Sequence, residues 1–171
     1  MKRSYGITAL VAILVLSFSS CGGGKEDKSG TNSTTEEQWA PPPVEEISNT
    51  LNLSAHDEMK YDQTVLKALA GKPITLTFTH IGTMDKNAMG HNFVLLKPGT
   101  DIDDFAKKAL TEKANDFIPQ SESSNIIAHT KLLGGNESDT IEFTVPEKGT
   151  YDYICTFPGH VATMRGKLIV E

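Results

Sequence analysis

Hydrophobic and polar residues alternate with a period of two in several short segments of the chain between residues 48 and 170. Ile74, Leu76 and Phe78 alternate with threonines, and the segment 140–145 alternates in the same way. This period is typical of strands with one buried face. Turn sequences rich in Pro, Gly and Asn separate six further strand candidates, which are 50–54, 64–69, 92–97, 125–130, 151–155 and 166–170. About eight short strands at this spacing predict an all-β fold, a Greek-key sandwich or barrel.

One segment has a different period. Between Asp101 and Asp116 the apolar residues recur near the helical spacing, with acidic residues at the start of the segment and lysines later. This order of charges complements the helix dipole. We therefore predict one short helix inserted between the strands.

The N-terminal segment has the pattern of an export signal. Lys2 and Arg3 precede the apolar run 7–16, which is shorter than the roughly 20 residues that a transmembrane helix needs. Small residues then lead to Cys21, and this arrangement is typical of a secretory signal peptide. The Ser-Ser-Cys ending resembles the bacterial lipobox, whose cysteine is acylated. We predict a lipoprotein signal peptide over residues 1–20 and lipidation of Cys21, with an uncleaved membrane anchor as the alternative.

A polar tether is predicted to follow the signal peptide. Residues 21–45 contain the acylated cysteine, many Gly, Ser, Thr and charged residues, and a proline triplet. Such a composition cannot bury enough apolar surface to fold, so the segment is expected to be flexible. The folded domain is then predicted over residues 46–171. Its expected location is the bacterial cell envelope, where the lipid would anchor it on the periplasmic side of the membrane or in the outer membrane.

Composition and charge exclude some functions. The chain has 171 residues, of which 38% are hydrophobic and 22% charged, as in an ordinary globular protein. It has 16 Lys and Arg residues against 22 Asp and Glu residues, whereas a protein that binds nucleic acid needs a basic face. We expect no nucleic-acid partner. Loss of Lys2 and Arg3 with the signal peptide would lower the formal charge from −6 to −8, and this charge favours a basic or neutral docking partner.

A loop near the C-terminus combines a thiol, an imidazole and a thioether. Cys155, His160 and Met164 lie within ten residues, and Pro158-Gly159 allows the turn that brings the thiol and the imidazole together. A second imidazole, His91, stands 64 residues upstream of Cys155 at the head of a predicted strand, which can be a neighbour in a Greek-key sandwich. Two imidazoles, a thiolate and a distant thioether are the ligand set of a blue-copper site.

Three strings, which are 87–95 (NAMGHNFVL), 127–132 (IAHTKL) and 155–160 (CTFPGH), resemble those of the azurins, blue-copper proteins of the cupredoxin superfamily. The resemblance extends from about Leu51 to Val170 and includes the inserted helix. It implies a cupredoxin-like fold with one type 1 copper ion per chain, which cycles between Cu(I) and Cu(II). It also implies electron transfer rather than enzymatic catalysis, with no small-molecule substrate. The expected partners are redox proteins such as c-type cytochromes or copper or haem reductases.

The resemblance also implies roles for particular residues. His91, Cys155 and His160 would be the equatorial ligands, Met164 a weak axial ligand and the Gly90 carbonyl a distant contact on the opposite side. Asn92 would tie the two ligand segments together, and the Phe157 amide would donate a hydrogen bond to the Cys155 sulfur. An uncharged patch around His160 would exchange electrons with partners, and its members would be Met84, Ala88, Met89, Pro158 and Val161.

The chain departs from the azurin pattern at two places. Azurins usually have a disulfide near the N-terminal edge, and the corresponding positions here are Asn49 and Gly71. The buried tryptophan position of the family is Phe93. Neither change affects the implied ligands.

Other functions could use the same residues. A copper carrier or storage protein would share the ligand set, and zinc could occupy it without redox chemistry. A nucleophilic Cys155–His160 dyad is a third alternative, but it leaves His91 and Met164 without a role.

Overall fold

The structure, a computed structural model, describes residues 46–171, so the predictions for residues 1–45, including Cys21, lie outside it. The alternating segments within this range form strands with alternating burial, and the all-β prediction is confirmed. One of the nine strands, a two-residue strand after the first turn, was not predicted. The strands are β1 (Thr50–His56), β2 (Lys60–Tyr61), β3 (Val65–Ala68), β4 (Pro73–His80), β5 (Val94–Leu96), β6 (Ile126–His129), β7 (Ser138–Thr144), β8 (Gly149–Ile154) and β9 (Arg165–Val170).

The strands form two sheets. One sheet has the order β2-β1-β4-β7, and the other has the order β3-β9-β8-β5-β6. β1 pairs with β4 in parallel, as β3 does with β9, and the other pairs are antiparallel. Strands that are distant along the chain are therefore neighbours in space, as the Greek-key prediction requires.

The core lies between the two sheets. Ile74, Leu76 and Phe78 on β4 are fully buried, while the threonines between them are half-buried. Phe93 is fully buried and its ring lies 5.2 Å from that of Tyr153. Burial of one such side chain contributes about 1.5–3 kcal/mol, so this core accounts for much of the stability of the domain. Both sheets and their core lie within residues 46–171, and the prediction that this range is the folded domain stays a prediction.

The predicted helix is present but shorter than its segment. α2 (Ile102–Ala109) is capped by Asp101, whose carboxylate accepts a hydrogen bond from the Asp104 N–H at 3.0 Å. The chain then forms a 3-10 turn and reverses at Asp116, where φ is +54°. A second helix, α1 (Lys86–Met89), was not predicted, because one turn capped by Asp85 is too short to show a period. No helix in residues 46–171 is long and apolar enough to cross a membrane.

The register of the second sheet brings three segments to one end of the sandwich. Ile154, the last residue of β8, pairs with Val94 of β5 and with Arg165 of β9. The residues before β5, after β8 and before β9 therefore lie side by side. β1 ends there as well, at His56. We call this end of the domain the site end, and the opposite end, where β1 starts and β9 finishes, the far end.

Hydrogen bonds of Asn49 hold the N-terminal edge at the far end. Its Nδ2 donates to the carbonyls of Leu69 at 3.3 Å and Pro73 at 3.1 Å, and its Oδ1 accepts from the Leu69 N–H at 3.0 Å. Gly71, with φ at +67°, turns the chain between these partners. Asn49 thus joins β1 to the β3–β4 turn without a disulfide.

Candidate metal centre

Three side chains that were predicted to act together meet at the site end. His91, Cys155 and His160 each present a ligand atom, and these atoms lie within 4.8 Å of one another. The Nδ1 atoms of the two histidines are 3.2 Å apart, and the Cys155 Sγ lies 3.7 Å from the His160 Nδ1. His91 and Cys155 are fully buried, and His160 is 3% exposed. The donor atoms therefore face a common point from which water is largely excluded.

A backbone carbonyl orients the first histidine. His91 is held by a backbone bridge to Leu133, and its Nε2 lies 2.8 Å from the His56 carbonyl oxygen. Because a carbonyl oxygen only accepts, the His91 Nε2 carries the hydrogen and Nδ1 keeps its lone pair. That lone pair points toward His160. Burial lowers the pKa of His91 to about 4, so the ring is neutral at pH 7.

The second histidine follows a tight turn. Gly159 adopts φ of +85°, which a residue with a side chain rarely does, and His160 then begins a 3-10 turn. The Phe157 ring packs 4.6 Å from the imidazole of His160. Burial lowers the pKa of His160 to about 4, with a smaller contribution from His91. Both imidazoles are thus neutral, as metal ligands must be.

The cysteine is a buried thiol with two amide contacts. Burial raises the pKa of Cys155 to about 11, although hydrogen bonds from the backbone amides of Asn92 and Phe157 act in the opposite direction. A cysteine nucleophile needs a lowered pKa, so this environment opposes a catalytic dyad. A bound cation would stabilise the thiolate, and the two amides would share its charge. The chemistry of the donor set, one soft sulfur and two neutral imidazoles, suits copper.

Asn92 lies between the two ligand segments, as the resemblance implied. Its Nδ2 donates to the Thr156 Oγ1 at 2.8 Å and to the Asp116 carbonyl at 3.0 Å, and its Oδ1 accepts from the Thr156 N–H at 2.9 Å. The Tyr61 hydroxyl donates to the Asn92 carbonyl at 2.7 Å. These bonds fix His91 relative to Cys155 before any ion binds.

The two predicted axial residues lie next to the cluster. Met164 is fully buried, and its backbone joins the ligand loop because its N–H donates to the His160 carbonyl at 2.8 Å and its carbonyl accepts from the Cys155 N–H at 3.1 Å. Gly90 ends α1, and a Cβ there would lie 2.5 Å from the Lys86 carbonyl oxygen. Close packing, rather than an unusual φ, therefore requires glycine. The axial roles of both residues stay predictions.

Sequence reasoning missed a support behind His91. The His80 ring lies 4.4 Å from the His91 ring, and its Nε2 is 3.0 Å from Asp57 Oδ1. The Asp57 carboxylate also accepts from the Thr83 N–H at 2.9 Å, in the loop that leads to α1. Asp57 had no signal in the sequence, because an aspartate in a turn is common and its partners are distant along the chain.

Four of the five residues of the predicted electron-exchange patch line surface clefts, and their role in electron exchange stays a prediction. Ala88 and Pro158 line one cleft, Val161 lines a neighbouring cleft, and Met84, 41% exposed, lies in a polar depression beside them. Met89 is half-buried. The prediction omitted Leu110, which at 52% is the most exposed large hydrophobic side chain in the described range.

Comparison with known proteins decides the family. Residues 48–171 match the copper-binding proteins of the plastocyanin/azurin family. The chain belongs to this family. The copper prediction is thereby confirmed, because a buried cluster of two histidines and a cysteine is typical of a type 1 copper site. The predicted resemblance to azurins is confirmed as well.

Individual relatives match over most of the chain. Auracyanin-A of Chloroflexus aurantiacus is 34% identical over 167 residues, which are 96% of this chain and 95% of the relative. Outer membrane protein H.8 of Neisseria gonorrhoeae is 35% identical over 120 residues, which are 68% of this chain and 64% of the relative. The solved structure of dithionite-reduced auracyanin from Roseiflexus castenholzii is 35% identical with a TM-score of 0.66, and it covers 74% of this chain and 99% of its own. The fold of this cupredoxin is therefore shared with known copper proteins.

Proposed function

We propose that the protein is a type 1 blue-copper electron carrier, which passes single electrons between redox partners of the cell envelope. The observation that carries this proposal is the buried set of two neutral imidazoles and a thiol within 4.8 Å. His91, Cys155 and His160 would hold the ion, and Met164 and the Gly90 carbonyl are proposed as weaker contacts to it. A bound copper ion would supply a one-electron couple between Cu(II) and Cu(I).

The fold would keep the donor atoms in place in both oxidation states of a bound ion. The His56 carbonyl fixes the orientation of the His91 ring, and Asn92 holds the ligand segments together through three side-chain hydrogen bonds. Donors that are held by the fold move little when the charge of the ion changes. A small rearrangement lowers the barrier to electron transfer, so rigidity at this site serves the proposed function.

The same geometry favours an electron carrier over a copper carrier. A protein that delivers its metal needs an open site from which the ion can leave. Here all three donors are buried, and the one nearest to solvent, His160, is covered by the Phe157 ring. We assign no catalytic residue and propose that the protein is not an enzyme.

Attachment to the envelope is the second part of the proposal. Residues 1–20 would act as a lipoprotein signal peptide and Cys21 would be acylated. The similarity to a Neisseria protein named as an outer membrane protein supports a place in the envelope. Expression with labelled palmitate tests the anchor, since the wild type should incorporate label and Cys21→Ser should not.

A coulometric titration of the copper-loaded protein tests the electron-carrier proposal. The protein should take up and release one electron per copper ion through repeated cycles without losing the metal. As a control for the carrier alternative, the reduced protein is mixed with bicinchoninate, a Cu(I) chelator. Retention of copper for hours supports an electron carrier, whereas loss within seconds would contradict it.

A further inference from the structure

Three lysines and two aspartates line the clefts beside His160, whereas acidic residues outnumber basic residues in the domain as a whole. We infer that the surface formed by these clefts docks an acidic partner, a redox protein with carboxylates around an apolar contact area. The inference deepens the proposed function. It rests on that function for the transfer of an electron, but not for the docking itself. It also differs from the expectation drawn from net charge, which favoured a basic or neutral partner.

Two clefts form the surface, and they share Leu110 and Phe157. One cleft of about 320 Å³ lies between α2 and the ligand loop and reaches Val161. The other, of about 500 Å³, lies between α1 and the turn after α2 and reaches Pro158. An exposed leucine between two clefts offers an apolar contact of the kind that interfaces use at their centre.

Lysines surround this apolar centre. Lys107 lines the first cleft, and Lys86 and Lys113 line the second. All three side chains are exposed, and within residues 46–171 none of them forms an ion pair at contact distance. These lysines are therefore free to attract carboxylates.

Fewer acidic residues share the surface. Asp103 and Asp116 line the clefts, and the Asp103 Oδ1 already faces Arg165 Nη2 at 3.4 Å. Three lysines and two aspartates thus line the clefts, and one of these aspartates already faces an arginine. The domain as a whole has the opposite balance, with 12 Lys and Arg against 17 Asp and Glu in residues 46–171. At an ionic strength of 0.1 M charges act over about 10 Å, so a docking partner responds to this local charge.

The surface covers the route to the metal ligands. The Phe157 ring lies 4.6 Å from the His160 imidazole and 5.3 Å from the Phe117 ring, which lines the second cleft. A protein that docks on Leu110 would therefore place its own redox group near His160. Positive charge here would guide the partner to the position where transfer distance is short.

The first strand of the domain starts at the end opposite this surface. β1 runs from Thr50 at the far end to His56 at the site end. Six steps along a strand cover about 20 Å, so the chain enters the domain roughly that far from the ligands. A membrane tether attached there would not have to pass the docking surface.

The first experiment maps an inert anion on the domain without metal. Hexacyanochromate(III) is paramagnetic, so it broadens the amide signals of residues near which it binds. In the metal-free domain, residues 46–171, we expect broadening at residues 86–88, 107–116, 157 and 159. Broadening centred on the far end, or spread evenly over the lysines, would overturn the inference. This result does not depend on copper, so it separates failure of the docking surface from failure of the proposed function.

The second experiment measures electron transfer with two matched double variants. Hexacyanoferrate(III) oxidises the reduced, copper-loaded protein by taking one electron, and hexacyanoferrate(II) is the product. Lys107→Gln/Lys113→Gln should slow this reaction roughly tenfold at an ionic strength of 10 mM, because long-range attraction is lost. Lys72→Gln/Lys148→Gln removes the same charge from exposed turns at the far end and should change the rate less than twofold. The cationic oxidant tris(phenanthroline)cobalt(III) should react faster with the first variant. Equal effects of the two variants on both oxidants would overturn the inference.

Discussion

Replacement of Asn92 by alanine tests whether one buried amide joins the two ligand segments. The change removes three hydrogen bonds, two to Thr156 and one to the Asp116 carbonyl, at distances of 2.8 to 3.0 Å. Each bond contributes about 1 kcal/mol, and buried partners left without a bond add to the cost. We expect the free energy of unfolding of the metal-free domain to fall by about 3–4 kcal/mol.

Urea unfolding followed by circular dichroism measures this change, with two comparison variants. Thr156→Val removes one of the three bonds and should cost about 1–1.5 kcal/mol. Asn115→Ala is the matched control, because the Asn115 side chain is exposed and its only side-chain hydrogen bond in the described range is to Glu112. This substitution should lower the free energy of unfolding by less than about 0.5 kcal/mol. An Asn92→Ala loss no greater than the Asn115→Ala loss would refute the view that Asn92 organises the site.

Three further predictions concern pH, the far end and the glycine before the first ligand. The unfolded chain protonates His91 and His160 near pH 6.5, whereas the folded, metal-free domain protonates them only near pH 4. The free energy of unfolding should therefore be highest above pH 6.5 and fall as the pH drops toward 4. Urea midpoints at pH 7.5, 5.5 and 4.5 measure this change. Asn49→Ala should lower the free energy of unfolding by about 1–2 kcal/mol without changing the copper spectrum, since its three bonds lie at the far end. Gly90→Ala should cost more than about 1 kcal/mol in the same assay, because a Cβ would press on the Lys86 carbonyl. Unchanged midpoints would contradict each prediction.

The strands could be predicted because their burial alternates. Ile74, Leu76 and Phe78 face the core for a reason that is visible in the sequence, namely their period of two. The one short helix predicted within 101–116 is present as α2, which ends at Ala109 although the apolar spacing continues to Ala114. Beyond this point Ala109 packs with Phe117 and Leu132, and no local pattern shows this contact.

The ligand cluster could be predicted because its residue types are unusual in one short loop and because the strings resemble those of a known family. The contacts that orient the ligands could not be predicted. His56 ends β1 and Asp57 follows it, more than 30 residues before His91. The His56 carbonyl contacts His91, and the Asp57 carboxylate contacts His80. The parallel pairing of β1 with β4 brings these residues together. Net charge likewise gives no information on where individual lysines lie.

An absorption and EPR titration of residues 46–171 with Cu(II) is the decisive test for a type 1 copper site. We expect an intense blue band from thiolate-to-copper charge transfer and a narrow copper hyperfine splitting. Both signals should disappear in Cys155→Ser and on addition of a reductant to the wild type. A pale spectrum of ordinary tetragonal Cu(II) in the wild type, or no binding, would contradict a type 1 copper site.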